Sequence, residues 1–369
     1  MATPYVPAWL PLSPESFDFK TLFGKATGAT RELARYDGLL SGITNPHILL
    51  APLTTQEAVL SSRIEGTQAS MEDVLEYEAG KRKSKGTEQD IQEIENYRAA
   101  LLGAEDWVSQ RGITLGLIQQ LHSVLMNSVR GGNMQPGEFR RIQNWIGRPG
   151  STIETATFVP PNPMLLVDRL ENWEQYLLSD DFDPLVQAAV VHAQFEILHP
   201  FLDGNGRIGR LLIPLFLFHK GCLSRPVFYL SEYLEERREE YYSSLRGVSA
   251  SNDWMGWVMY FLDAVIEQAV KSSERVVKIK NLFDQTLEDV TKITNSPSAI
   301  SLVNGLFRSP LITVNQLLEV VDIKRAMVNR HLTSLVNAGI LHIKESGGGS
   351  QATLYEFRSL LNIIGSSSK

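Results

Sequence analysis

Apolar residues near the middle of the chain form two helical patterns that meet at a polar loop. Behind Asp183-Pro184, Leu185, Val186, Ala189, Val190, Ala193 and Ile197 recur at spacings of three and four, which predicts a capped helix from Leu185 to Leu198. The apolar run from Ile208 to Lys220 predicts its partner. Ile91, Ile94, Tyr97, Leu101 and Leu102 share one face of a helix opened by Thr87 and running to Gln110, and Thr114 opens another from Leu115 to Val129. Trp254, Trp257, Tyr260, Phe261, Val265 and Ile266 predict a long amphipathic helix; Val276, Ile279, Leu282 and Phe283 predict a further stretch packing back on the domain.

The pattern is weaker toward the start. Residues 1–25 are Pro-rich and read as an extended arm, with a helix following from Thr30 to Leu40. Thr54-Thr55-Gln56-Glu57 is a capping-box signal for a helix through Ala58 to Ile64 that stops at Glu65-Gly66. Ser70 caps a short helix, and Lys81 to Gly86 reads as a solvated basic loop. Gly147, Pro149 and Gly150 punctuate β-prone residues between Gln143 and Pro161, which predicts a hairpin. After Thr294-Asn295-Ser296-Pro297 the order becomes helix Ala299–Phe307, helix Thr313–Val320, a turn at Asp322, helix Lys324–Ala338, and strands Ile340–Glu345 and Ala352–Phe357 around Gly347-Gly348-Gly349. That order resembles a winged helix-turn-helix, whose exposed recognition-helix side chains would be Lys324, Arg325, Asn329, Arg330 and His331.

Composition changes the picture in three places. With 369 residues, 43% hydrophobic and 21% charged, the chain is long enough for two or three globular domains. One cysteine, Cys222, excludes an intrachain disulfide and fits a reducing compartment; its place after an apolar run suggests packing. The formal charge is −7, but residues 296–369 carry seven basic and four acidic side chains, so this segment is at +3 and the remainder at −10. A winged helix of such modest charge binds DNA or docks a protein, and both stay open. The Met1-Ala-Thr-Pro start has neither the basic nor the apolar region of a secretory signal, and Leu211 to Phe218 is too short for a membrane helix, so the expected location is the cytoplasm, with no membrane partner.

The polar loop carries the chemistry. It reads His199-Pro200-Phe201-Leu202-Asp203-Gly204-Asn205-Gly206-Arg207-Ile208-Gly209-Arg210. Asp203 is a hard ligand suited to Mg²⁺, and Gly204, Asn205 and Gly206 let backbone N–H groups approach an anion where a helix begins. Arg207 and Arg210, three apart in the first turn, can hold phosphate oxygens in a forked geometry, and His199 is the candidate general base. Gly204, Gly206 and Gly209 also spell a dinucleotide fingerprint with Glu232 downstream, but that motif follows a strand, and here a helix precedes it. No P-loop string is present. His122 lacks a second ligand at helical spacing and reads as a packing or hydrogen-bonding residue.

These twelve residues match the Fic-domain pattern H-P-F-x-[DE]-G-N-G-R-x-x-R at every fixed position. The chain therefore resembles a Fic protein. The resemblance implies a mainly α fold, a Fic helical domain with a β-hairpin flap, joined here to the small winged-helix domain. It also implies transfer of AMP from Mg-ATP to a Ser, Thr or Tyr hydroxyl of the protein itself or of a target protein. His199 would take the hydroxyl proton, Asp203 would hold Mg²⁺, Asn205 and the amides of Gly204 and Gly206 would hold phosphate oxygens, and Arg207 and Arg210 would steady the β and γ phosphates. Ser61-x-x-x-Glu65-Gly66 matches the Fic inhibitory motif [ST]-x-x-x-E-[GN], which implies a Glu65–Arg210 pair that blocks the productive ATP pose. Read without the family, Glu65 is a solvated acid before a C-cap glycine.

Two further regions carry over by resemblance. Ala156, Thr157, Phe158 and Val159 fall in the flap that aligns an extended target segment over the site, and Tyr241 and Tyr242 resemble residues near the adenosine; an ordinary surface hairpin and a core aromatic pair are the alternatives. The expected organisation is residues 1–110 as an N-terminal helical region with the inhibitory helix, 111–295 as the Fic catalytic domain and 296–369 as the winged helix. A nucleotide-sensing DNA-binding regulator, transfer of another phosphate-containing group, removal of AMP and a homodimer through the inhibitory-helix surface remain open at this stage. An intact His199 favours the enzyme, since sensing needs a phosphate cradle but no base.

Overall fold

A computed structural model describes residues 3–43, 45–127, 134–148, 150–348 and 352–365. The described chain is mainly helical, as predicted, with α1 (Phe19–Ser41), α2 (Pro46–Leu49), α3 (Ala51–Ile64), α4 (Met71–Glu78), α5 (Lys85–Arg111), α6 (Leu115–Leu125), α7 (Pro163–Leu178), α8 (Pro184–Leu198), α9 (Asn205–His219), α10 (Ser231–Glu236), α11 (Arg238–Ser251) and α12 (Trp254–Thr294). The order then runs α13 (Ala299–Arg308), β1 (Leu311–Thr313), α14 (Val314–Leu318), α15 (Arg325–Asn337), β2 (His342–Glu345), β3 (Leu354–Glu356) and α16 (Arg358–Gly365). Contacts group the residues into two compact units, one of Met1–Asp37, Leu60–Thr67 and Gln92–Val270, the other of Gly38–Val59, Gln68–Ile91 and Lys271–Lys369.

The first unit is built around α8. Nearly every one of its residues is buried, including Gln187, His192 and Gln194, so it is a central helix rather than an amphipathic one. Asp183 accepts from the N–H groups of Leu185 and Val186 and so opens it. Two indoles fix its sides: Trp173 Nε1 donates to the Val191 carbonyl at 2.9 Å and Trp257 Nε1 to the Ala189 carbonyl at 2.8 Å. Its last turn ends at His199 in the left-handed conformation, φ 46°, and α9 opens at Gly204 with φ 75°, so the loop is bracketed by two reversals of backbone hand.

Several boundaries differ from the sequence reading. Helix α1 begins at Phe19 instead of Thr30, because Leu22, Ala26, Ala29, Leu33, Tyr36 and Leu40 form one buried stripe across Gly24 and Gly28. Thr54 lies inside α3, where its hydroxyl bonds back to the Leu50 carbonyl instead of capping. The N–H of Thr87 donates to Ser84 Oγ, so Ser84 takes the capping role, and Leu102 is exposed. The stretch beginning at Val276 is a direct continuation of α12, which runs unbroken for 41 residues. Ser128, Val129, Pro149 and Gly349 lie outside the described residues.

In the second unit the three strands pair antiparallel in the order β1-β3-β2, and β1 and α16 were not predicted. Leu75, Leu311 and Leu354 share a buried cluster with Met71, Ala79 and Leu361 around them. The basic loop is not simply solvated. Lys81 pairs with Glu76 and Glu345, Lys83 with Asp73 and Glu76, and Lys344 with Glu72 and Glu76. Lys324, Arg325, Asn329 and Arg330 are exposed as expected, whereas His331 is 3% exposed and belongs to the core because it shares the inward face of α15 with Val328 and Leu335.

Candidate active site

The loop between α8 and α9 is held by side chains that bond to its backbone. Asn205 Oδ1 accepts from the N–H of Phe201 at 2.8 Å and its Nδ2 donates to the Phe201 carbonyl at 2.9 Å, so this side chain locks the turn, in addition to the phosphate contact expected of it. Phe201 stacks on the His122 ring, with centroids 3.7 Å apart and planes within 3°. His122 is a connector: Gly137 donates to its Nδ1 at 2.8 Å, which leaves the proton on Nε2, and Nε2 donates to the Asp203 carbonyl at 3.0 Å. Asp203 itself is exposed, and its Oδ1 accepts from the N–H of Gly204 at 2.6 Å.

Both arginines are buried and paired. Arg207 donates to Glu93 Oε2 at 3.0 Å. Arg210 donates from Nε to Ser61 Oγ at 2.9 Å, and from NH2 to the Ser61 carbonyl and to Glu65 Oε1, both at 2.8 Å. A methyl group built on Gly206 would lie 2.2 Å from Glu65 Oε1, so the glycine is what lets this carboxylate settle at the N-terminus of α9. Burial alone would raise the Glu65 pKa, but Arg210 first, then Arg207 and His199, hold it below the usual range. The Glu65 side chain keeps 36% of its surface exposed, against 2% for Arg210, so the pair is buried on one side only.

His199 is the residue expected to act as the base. Burial lowers its pKa to about 4, opposed by the Glu196 carbonyl on Nδ1 at 3.3 Å and by nearby carboxylates. That contact leaves Nε2 without a proton, in the form a general base requires. Glu196, whose Oε1 has no hydrogen-bond partner among the described residues, is pushed by burial up to about 7, with Arg210 opposing and Glu65 adding to the rise.

The other expected positions divide. Ile146 and Phe158 form a single antiparallel bridge, so the predicted hairpin closes on one rung. Thr157 is exposed and Ala156 and Phe158 are half-buried, while Val159 is buried and its carbonyl accepts from the N–H of Tyr5 at 3.0 Å. Tyr241 is buried and its hydroxyl donates to His192 Nε2 at 3.0 Å; Tyr242 is half-buried beside it. Sequence reasoning missed His192, Glu93, Glu196 and Arg140. Only Glu196, one turn before His199, and Arg140, in the run Pro136 to Arg140, carried any signal in their spacing from the loop.

Two buried rings and the half-buried ring of His199 make acid stability a test of this geometry. His122, His192 and His199 have pKa values lowered, by burial first, to about 4, 3 and 4. A histidine whose folded pKa lies below its unfolded value stabilises above pH 6.5, and that contribution is lost as pH falls toward 4, on the order of 1–3 kcal/mol per ring. The raised Glu196 acts in the opposite sense between pH 7 and 4.5 and offsets part of this loss. The expected result is a falling melting temperature from pH 7 to pH 5 in thermal unfolding; a flat or rising curve would mean that the rings are solvated.

Comparison with known proteins gives a consistent set of relatives. Residues 23–105 match the sequence model described as "Fic/DOC family N-terminal" and residues 112–217 the model described as "Fic/DOC family", together about half of the chain. A protein adenylyltransferase Fic of Drosophila grimshawi is 34% identical over 142 residues, covering 38% of this chain and 26% of that protein. The Aedes aegypti protein of the same name is 29% identical over 201 residues, covering 52% and 36%. The chain thus spans about a quarter to a third of these relatives. A Fic family protein from Desulfovibrio desulfuricans G20 shares the fold with TM-score 0.56 at 19% identity, covering 96% of this chain and 98% of that one. Fic-1 from C. elegans, residues 134–508, does so with TM-score 0.55 at 20% identity, covering 71% and 74%. Among the described residues no helix is long and apolar enough to cross a membrane.

Proposed function

Because the chain belongs to the Fic/DOC family, we propose that it is a protein adenylyltransferase that moves AMP from Mg-ATP to a protein hydroxyl and is restrained by its own Glu65. One observation carries this reading. A carboxylate of the chain lies against Gly206 at the N-terminus of α9 and on the guanidinium of Arg210, the surroundings that would suit a phosphate oxygen. Beside it stands a neutral histidine. A nucleotide sensor would need the anion cradle and not the base.

In this mechanism the target hydroxyl oxygen bonds to the α-phosphorus of ATP while its proton passes to His199 Nε2. The bond between the α-phosphorus and the bridging oxygen breaks, and pyrophosphate leaves with that electron pair. Arg207 and Arg210 would hold the departing phosphates, Arg210 only once Glu65 has withdrawn. Asp203 offers an exposed carboxylate, the hard oxygen donor that would hold Mg²⁺ beside the phosphates, so the residue present fits that ion. When bound, the ion would neutralise phosphate charge.

Labelled ATP tests the reading directly. With label on the α-phosphate, acid-stable radioactivity should appear on the Glu65→Gly chain or on a lysate protein; with label on the γ-phosphate, none should. Retention of γ label would mean phosphoryl transfer, and loss of both would remove the adenylyltransferase reading.

A further inference from the structure

Arg140 is 2% exposed, and no carboxylate pairs with it among the described residues. Its guanidinium is instead spent on carbonyls: Nε donates to His199 at 2.9 Å, NH2 to Pro161 at 2.7 Å and Leu198 at 3.3 Å, and NH1 to Ile142 at 3.3 Å. The backbone N–H of Arg140 donates to the Pro200 carbonyl at 2.8 Å. Burying a guanidinium without a counter-ion is costly unless its donors are satisfied. Here the carbonyls of Leu198, His199 and Pro200 sit at the C-terminus of α8, where the helix already places negative partial charge and leaves acceptors without intrahelical partners.

Two features of the acceptor set go beyond structural support. His199 is a non-glycine residue in the left-handed region, φ 46°, a conformation that persists only where its surroundings impose it. Arg140 holds the carbonyl of that residue itself through Nε and the carbonyl of the following Pro200 through its own N–H. The second feature is Pro161, which ends the segment returning from the Ile146–Phe158 bridge. Neighbouring side chains repeat the connection. Gln143 Nε2 donates to the Pro160 carbonyl at 2.9 Å, and Asn144 Nδ2 to the Phe201 carbonyl at 3.0 Å. Residues 140–146 therefore join the base-bearing loop to the returning hairpin segment.

We propose that Arg140 is a positioning residue for AMP transfer: one guanidinium fixes the backbone of His199 and ties it to the hairpin segment over which the target chain would lie, so base and target are registered together. This rests on the adenylyltransferase reading above. Arg140 touches no reacting atom and is not a catalytic residue. Its cation is also among the charges that hold the His199 imidazole neutral.

The test uses Arg140→Gln and Arg140→Lys in the full chain, alone and combined with Glu65→Gly. In the Glu65→Gly background, kcat for AMP transfer should fall about 10- to 100-fold for Arg140→Gln while the KM for ATP stays within about twofold, the signature of a misplaced base over an intact phosphate site. Arg140→Lys, which keeps a donor and the charge, should recover part of the loss. An equal collapse of kcat and of ATP affinity, or a lysine variant no better than glutamine, overturns the proposal. Histidine NMR of the labelled chain, with His199→Ala for assignment, gives a readout independent of turnover: Arg140→Gln should raise the His199 pKa and broaden its ring signals. Where Glu65→Gly itself transfers no AMP, the adenylyltransferase reading fails, and an unchanged His199 signal in Arg140→Gln overturns the positioning role separately. Should Arg140→Gln fail to fold, the lysine variant carries both readouts.

Discussion

Replacing Glu65 with glycine should raise the proposed AMP transfer about 10- to 100-fold. Arg210 has three donated hydrogen bonds, two to Ser61 and one to Glu65, so removing the carboxylate leaves the guanidinium in position and frees one face of it toward Gly206. Breaking a fully buried ion pair on one side costs about 3–5 kcal/mol. The Glu65 side chain is 36% exposed, so solvent screens the pair and about 1–3 kcal/mol is the better expectation, equivalent to the stated rise in the competent population. Initial rates with α-labelled ATP measure it. The KM for ATP should fall together with the rise in rate, because a carboxylate no longer competes for Arg210. A Glu65→Gly chain as slow as wild type, with His199 still required for residual activity, would show that the Glu65–Arg210 contact is structural only.

His199→Ala in the Glu65→Gly background should lower kcat by about 10²–10⁴-fold with ATP binding retained. The imidazole contributes little to holding the nucleotide on this geometry: its Nδ1 faces the Glu196 carbonyl at 3.3 Å, and the anion cradle is made by Gly206 and the arginines. The ring is held neutral with its pKa near 4, so the acid limb of the pH–rate profile should lie well below the 6.5 of a solvated histidine. Removing Glu65 removes one of the charges that raises it, which moves the limb further down. Calorimetry of ATP binding alongside rates separates the two roles; loss of binding in His199→Ala would assign the ring to the nucleotide instead of the proton.

The helices on either side of the site were legible because both the apolar pattern and the cap chemistry point the same way. Asp183-Pro184 and the spacing of Leu185 to Ile197 set the start and course of α8, and the glycine at 204 set the start of α9. Helix α1 was cut short for the opposite reason: Gly24 and Gly28 are poor helix formers, and the stripe from Leu22 to Leu40 overrides them through burial, a tertiary effect that local propensity does not carry. Glu65 was legible only through its motif, since an acid at a helix C-terminus has no local reason to be there. Glu93 and His192 could not be found in this way, because each is defined by a partner more than ten residues distant, Arg207 for one and Gly209 with Tyr241 for the other. The basic loop misled only in part for that reason: Glu345, a partner of Lys81, lies far along the chain, whereas Asp73 and Glu76, the partners of Lys83, are within ten residues and are brought to it by the fold of the loop against α4.

The carboxylate resting on Gly206 would, on the proposed reading, also determine how the restraint scales. A restraining group carried on the same chain is present once per active site at every expression level, so dilution, dosage or turnover of a separate inhibitor cannot release it. Its effective concentration is set by the fold. Output per molecule would then depend on how far the local nucleotide level outcompetes Glu65 for Arg210.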